Sequence, residues 1–188
     1  MNIDKIISDW HTQDIGIKGG DNRTNFDEVW LEIFNKLLKN SDEHQDLKVE
    51  PHTLLFRVHT GGDEKPQLSD YDDQENYHEV YAEKLKNWIA DNNSEAINFN
   101  NQWSSFTKSA DVIGSNYFEE KGLRGFVIVV SSDKAVYISS RIHNKSDEQE
   151  VVAPMDKGTV KEILSFNDFM ENYGTGNSDY ENLKIKQL

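Results

Sequence analysis

The sequence predicts a single α+β domain, and three features carry that expectation. One strongly helix-periodic apolar stripe stands early in the chain. Short alternating apolar segments crowd the second half. The strands do not alternate regularly with helices, as a doubly wound parallel fold would require. A length of 188 residues suits one domain. Its organisation reads as a helical N-terminal part over 1–50 and a β-rich core over 53–188.

The elements follow in order. Asn2 to Trp10 forms a short helix with Ile3, Ile6 and Ile7 on one face, and residues 11–24 read as a polar loop. From Asn25 to Asn40 the residues Phe26, Val29, Trp30, Ile33, Phe34, Leu37 and Leu38 keep the i, i+3, i+4, i+7 spacing of a helix packed on a core. Thr24 is its expected N-cap, and Lys36 and Lys39 suit the negative end of the helix dipole. Thr53 to Thr60 is a strand ended by Gly61-Gly62. A helix is expected from about Asn76 to Ala90, with Tyr77, Tyr81, Leu85, Trp88 and Ile89 inward. Strands follow at 102–107, 125–131, 134–140, 148–153 and 159–166, with a short helix after Ser109 and a last strand expected in the tail, 181–188.

Composition narrows the function. With 34 acidic and 20 basic side chains the net charge is −14, which disfavours broad nucleic-acid binding and attracts a basic protein partner. No cysteine is present, so disulfides, thiolate nucleophiles and cysteine-type zinc sites are excluded together. The histidines at 11, 44, 52, 59, 78 and 143 lack the spacing of a zinc hydrolase, and no metal is expected. The acidic, amphipathic start carries no signal-peptide pattern, and no segment is apolar enough to span a membrane. A soluble chain is expected, acting in a cytoplasm and compatible with secretion or injection. The acidic run at 69–75 reads as a solvated loop.

Three segments hold chemistry. On the strand TLLFRVHT, Leu54, Phe56 and Val58 form one face, and Arg57 stands on the other with Leu55 and His59. A guanidinium within an apolar strand needs an anion, either a phosphate ligand or an internal carboxylate. In QWSSFT, Trp103, Ser105 and Thr107 share a face, and hydroxyls there can orient a neighbouring carboxylate. In SDEQEVVAP, Glu148 and Glu150 are two apart on an expected strand and so project together, with Val151 and Ala153 opposite. Such a pair suits one anion that stabilises positive charge and one base that removes a proton. Taken alone, the pair also fits an exposed acidic strand end.

In this order, Arg57, then Ser105-Phe106-Thr107 and a short helix, then Glu148-Gln149-Glu150, the chain resembles the Arg-Ser-Glu class of mono-ADP-ribosyltransferases. It is most like the arginine-modifying toxin domains of bacteria and phage-encoded transferases. The resemblance covers about residues 53–166 and includes the Pro154 turn and the Gly158-Thr159-Val160 strand start. Two departures stand out. Phe106 and Thr107 fill the second and third places of the usual Ser-Thr-Ser, and Val58-His59 follows Arg57 where a glycine is more usual.

The resemblance implies two roughly perpendicular antiparallel sheets around an NAD⁺ cleft, with N-terminal helices beside them. It implies NAD⁺ as co-substrate and transfer of ADP-ribose to an arginine of a target protein. Glu150 would bind the nicotinamide ribose, Ser105 would hold Glu150, and Arg57 would meet the phosphate bridge, with Thr107 keeping the second hydroxyl of the site. Glu148 would orient the acceptor guanidinium and take its proton, and the loop 140–147, with His143, would face the target. A toxin or effector of this kind can also meet a neutralising immunity protein. Two other functions fit the same residues: an NAD⁺ glycohydrolase on this fold, and a non-enzymatic acidic partner-binding protein.

Overall fold

The computed structural model describes residues 1–16, 26–39, 43–59, 70–71, 73–77, 79–84, 87, 97, 99–115, 126–142 and 148–175. Helix α1 spans Ile3–Gly16 and so runs past Trp10 into the segment expected to be loop. The Asn2 side chain caps it by accepting the Lys5 N–H at 3.1 Å. Ile3, Ile7 and Trp10 are buried on one face, so packing rather than local propensity carries the helix. Helix α2 (Phe26–Lys39) follows its sequence pattern and buries Trp30, Ile33 and Leu37. Leu38, expected inward, is exposed together with Leu31. Thr24 lies outside the described residues, as do Gly61-Gly62, Leu85, Trp88, Ile89 and the tail 181–188. Of the expected helix at 76–90, Tyr77, residues 79–84 and Asn87 are helical.

Among the described residues six strands form the sheet: β1 (Leu54–His59), β2 (Trp103–Thr107), β3 (Phe126–Ser131), β4 (Val136–Tyr137), β5 (Glu150–Pro154) and β6 (Val160–Ser165). Their spatial order is β4-β5-β2-β1-β3-β6, and every neighbouring pair is antiparallel. The α+β class read from the sequence therefore holds. The expectation of two separate sheets needs correction, because β1 pairs with both β2 and β3 and so joins the strands into one. The joint is narrow. β1 and β3 are in register from Leu54↔Ser131 to His59↔Phe126, and β2 and β5 from Trp103↔Pro154 to Thr107↔Glu150. Between β1 and β2 the register is the single pair Phe56↔Thr107. The sheet is thus two three-stranded blocks, β4-β5-β2 and β1-β3-β6, whose ladders meet at one register pair among the described residues.

Three other boundaries differ from the sequence reading. The strand expected at 134–140 is cut to Val136–Tyr137 and followed by a 3₁₀ turn at Ser139–Arg141. The strand expected from Glu148 begins at Glu150. After β6 the chain enters a helix, α4 (Phe166–Tyr173), absent from the sequence reading. Phe166, Phe169, Met170 and Tyr173 have helical spacing and pack on β1, β3 and β6. The short helix α3 (Ala110–Ile113) follows β2 as expected, capped by the Ser109 side chain.

Apolar residues gather on both faces of the sheet. One face carries a core shared by both blocks, with Leu55, Ile128 and Val130 beside Phe106, Val151 and Ala153. On the other face the helices divide. Helices α1 and α2 cover Trp103, Val136 and Val152, while α3 and α4 cover Phe56, Val127 and Val129. Ser105, Thr107 and Glu150 lie on this divided face and belong to neither apolar cluster. The seam between the two helical layers is therefore polar.

Helix α2 is fixed to β2 by aromatic packing. Trp30 is fully buried, edge-on to Trp10 at 5.4 Å and stacked on Trp103 at 6.4 Å between ring centroids. Trp30→Ala is expected to cost about 3–5 kcal/mol of unfolding free energy, the usual range for a buried tryptophan. Urea denaturation reads this directly, and a loss below about 1 kcal/mol would mean that α2 is not a structural part of the core.

Candidate functional site

Arg57 reaches the site through its strand position. Alternation puts it on the Leu55 face of β1, opposite Ile128 of β3. Ser105 and Glu150 point to the other face, so the three do not meet by sharing one. They meet at the backbone edge of β2. The Gln102 carbonyl accepts the Met155 N–H at 2.9 Å, and the Lys108 N–H donates to the Gln149 carbonyl at 3.3 Å. Even-numbered residues of β2 therefore turn their backbone groups to β5, and odd-numbered ones turn theirs away. On that second edge the Trp103 N–H donates to Asp27 Oδ1 at 2.8 Å. The Ser105 carbonyl accepts Arg57 Nη1 at 2.6 Å. Arg57 thus occupies an edge that a longer β1–β2 ladder would have used.

Ser105 then connects to Glu150. Its hydroxyl donates to Glu150 Oε1 at 2.6 Å, between residues 45 apart in sequence. A hydroxyl donating to a carboxylate is a short, charge-assisted bond that fixes the acid's orientation. Glu150 is 8% exposed and stands at the first position of β5. On the β4 side its carbonyl accepts the Ile138 N–H at 3.0 Å, and its own N–H donates to Ser139 Oγ. One carboxylate is therefore held by its side chain from β2 and by its backbone from residues 138–139.

Glu148 is placed differently from the expectation. It precedes the strand, and Gln149 has φ 47°, in the left-handed region. That turn breaks the pleat, so alternation does not put Glu148 and Glu150 on one strand face. Thr107 fixes the segment instead: it is buried, its hydroxyl donates to the Glu148 carbonyl at 2.8 Å, and its oxygen accepts the Ser109 N–H at 3.1 Å. Glu148 is half-buried. His143 and most of the 140–147 loop lie outside the described residues, as does the side chain of His59.

A second polar cluster holds the chain just before this segment. Arg141 forks onto Asp46, with Nε on Oδ2 and Nη2 on Oδ1 at 2.8 Å, while its Nη1 reaches Asp4 Oδ1 at 2.6 Å. Ser140 Oγ adds a bond to Asp46 Oδ2 at 3.1 Å, and His44 Nδ1 lies 3.2 Å from Arg141 Nη2. The hydrogen bond from Arg141 holds the Asp46 carboxyl down at about 2. Sequence reading missed Ser139 and set Arg141 in the loop 140–147 expected to face the target, whereas its side chain bonds Asp46 and Asp4. Nothing local marks these contacts, because Asp46 and Asp4 lie 95 and 137 residues away from Arg141.

Two cavities stand apart from Arg57, Ser105 and Glu150. One of about 710 Å³ opens at the far end of β2 and β5, beside Trp103 and Pro154. The other, about 550 Å³, lies between α1 and the turn at 140–142. Neither is lined by Arg57, Ser105 or Glu150. Among the described residues no group of three or more histidines and carboxylates is arranged to hold a metal ion. No described helix is long and apolar enough to cross a membrane.

Comparison with family models, with curated proteins and with solved structures gives no match.

The Asp46 carboxyl gives a pH dependence with a definite sign. A carboxylate whose folded value lies below its unfolded one, about 3.9, stabilises the fold at higher pH. That contribution is complete above the unfolded value and is lost as pH falls through about 2. Acid unfolding between about pH 4 and 2 should therefore be less steep in Asp46→Asn than in the parent chain. Circular dichroism across that range measures it, and superimposable acid transitions would remove the Arg141–Asp46 pair from the account.

Proposed function

We propose that the chain is a mono-ADP-ribosyltransferase that takes NAD⁺ and modifies an arginine of a target protein. The observation that carries the reading is the link from Arg57 to Ser105 to Glu150, through two hydrogen bonds of 2.6 Å across separations of 48 and 45 residues. These are three positions at which the sequence resembles the Arg-Ser-Glu transferases. The proposed fold relation to that class rests on the same link and on the narrow β1–β2 joint, which divides the sheet into two blocks.

The residues suit a ligand that is anionic along its phosphate bridge and cationic at its glycosidic end. NAD⁺ supplies a glycoside whose leaving group, nicotinamide, departs neutral. Glu150 provides the fixed negative charge beside the ribose carbon, where positive charge develops as that bond breaks. Ser105 keeps the Glu150 carboxylate turned to its task and spares it reorganisation. By the resemblance, the Arg57 guanidinium, whose Nη1 also holds the Ser105 carbonyl, would meet the phosphates. An arginine acceptor has a pKa above about 12 and attacks poorly until a base stands beside it. Glu148 takes that proton as the new N–C bond forms. The Thr107 bond to the Glu148 carbonyl, together with the turn at Gln149, sets its backbone apart from Glu150 and suits a separate role at the acceptor. The overall acidity favours a basic target surface.

Glu150→Ala is expected to abolish both nicotinamide release and protein labelling, measured with labelled NAD⁺ and an arginine-rich acceptor. Unchanged nicotinamide release would remove Glu150 from the chemistry. Glu148→Gln keeps the shape and loses the base. It should reduce arginine labelling by about two to four orders of magnitude while slow NAD⁺ cleavage persists. Cleavage by the parent chain without labelling of any acceptor would make it an NAD⁺ glycohydrolase. A parent chain that neither binds nor cleaves NAD⁺ would leave the acidic partner-binding function.

A further inference from the structure

The Arg141 cluster lies outside the link described above, yet it adjoins the residues that hold Glu150. On the β4 side both backbone groups of Glu150 are engaged by two consecutive residues. Its carbonyl accepts from Ile138, and its N–H donates to the Ser139 hydroxyl. Ser139 opens the 3₁₀ turn Ser139–Arg141, whose other end is Arg141. The turn is closed within itself by the Arg141 N–H on the Ile138 carbonyl at 2.9 Å. Ser139 and Arg141 are therefore parts of one small rigid unit, and a shift of one carries the other with it.

The unit is fastened from outside by Arg141. Its side chain is 24% exposed and ties α1 through Asp4 and the turn at Gln45–Leu47 through Asp46. Ser140 adds its own bond to Asp46. The fork geometry on Asp46 fixes direction as well as distance, which a single point charge would not do. Leu47, directly after Asp46, is fully buried in the α1–α2 core, so the anchor itself is firm.

We propose that Arg141 is a positioning residue for Glu150: fixed by Asp46 and Asp4, it sets the turn whose Ser139 hydroxyl receives the Glu150 amide. This deepens the transferase reading and rests on it for its catalytic meaning. The coupling itself does not depend on that reading. The N-terminal helix α1 then has a part in the site, since it contributes Asp4 to the anchor. Without the anchor, the first residue of β5 keeps its Ser105 contact but loses a fixed backbone position. A displacement of about 1 Å at a reacting group can cost about a hundredfold in rate.

The test uses the full chain and has two readouts. Amide hydrogen exchange by NMR is measured at Glu150 and at Val129, which lies deep in β3. In Arg141→Gln the Glu150 amide is expected to exchange at least about tenfold faster while Val129 is unchanged, since local opening is separable from global unfolding. Asp46→Asn, which leaves Asp4 in place, should give the same pattern with smaller amplitude. Ser139→Ala should reproduce the Glu150 effect, and Ser139→Thr, which keeps the hydroxyl, should restore protection. For nicotinamide release, Arg141→Gln should lower kcat about ten- to a hundredfold and change KM for NAD⁺ by less than about threefold, because only Glu150 is displaced. An unchanged Glu150 amide in Arg141→Gln overturns the proposal. So does faster exchange at Glu150 and Val129 together, which would make Arg141 a support of the whole fold, and so does failure of Ser139→Thr to restore protection where Ser139→Ala removes it. A parent chain that releases no nicotinamide refutes the transferase reading, and the exchange result then decides the coupling separately.

Discussion

Much of this structure depends on a joint where a sheet almost comes apart. β1 and β2 share one register pair, Phe56↔Thr107, and past it the β2 edge is met by side chains. Asp27 takes the Trp103 N–H and Arg57 takes the Ser105 carbonyl. Buried backbone groups need partners, so each side chain stabilises an edge that a ladder would otherwise have satisfied. The arrangement leaves Ser105, Thr107 and Glu150 between two apolar clusters on one face of the sheet. It also brings a guanidinium to the serine that orients a buried carboxylate.

The division of the helices follows from the same joint. α1 and α2 cover one block of the sheet, α3 and α4 cover the other, and Ser105, Thr107 and Glu150 occupy the seam. The opposite face has a common apolar core that crosses the joint through Leu55, Phe106 and Val151. One face therefore holds the two blocks together while the other stays open to polar chemistry. A carboxylate in such a seam is partly desolvated, and the hydroxyl of Ser105 offsets part of that cost.

The Glu148–Glu150 segment shows how a short sequence pattern can carry two geometries. Two residues apart on a strand would place both acids side by side. The left-handed Gln149 and the Thr107 bond to the Glu148 carbonyl instead end the strand at Glu150. Two groups with different surroundings are better suited to two different roles than an equivalent pair would be.

The sequence by itself determined the α+β class, the course of β1, β2, β3 and β6, and helix α2, because period-2 and period-3.6 apolar patterns are local. It also marked Arg57, Ser105 and Glu150, through the order in which a strand arginine, strand hydroxyls and an acid pair follow one another. The helix at Phe166–Tyr173 was not read from the sequence, because the apolar run of β6 leads straight into it and hides its helical spacing. Tertiary structure decided what local pattern cannot encode. Strand order sets whether the strands form one sheet or two, and pairing between distant segments sets that order. Arg57 meets Ser105 through a backbone carbonyl, which no side-chain pattern displays. The Arg141 anchor joins residues 95 and 137 positions apart, and long-range ion pairs leave no periodic trace in a chain rich in acids.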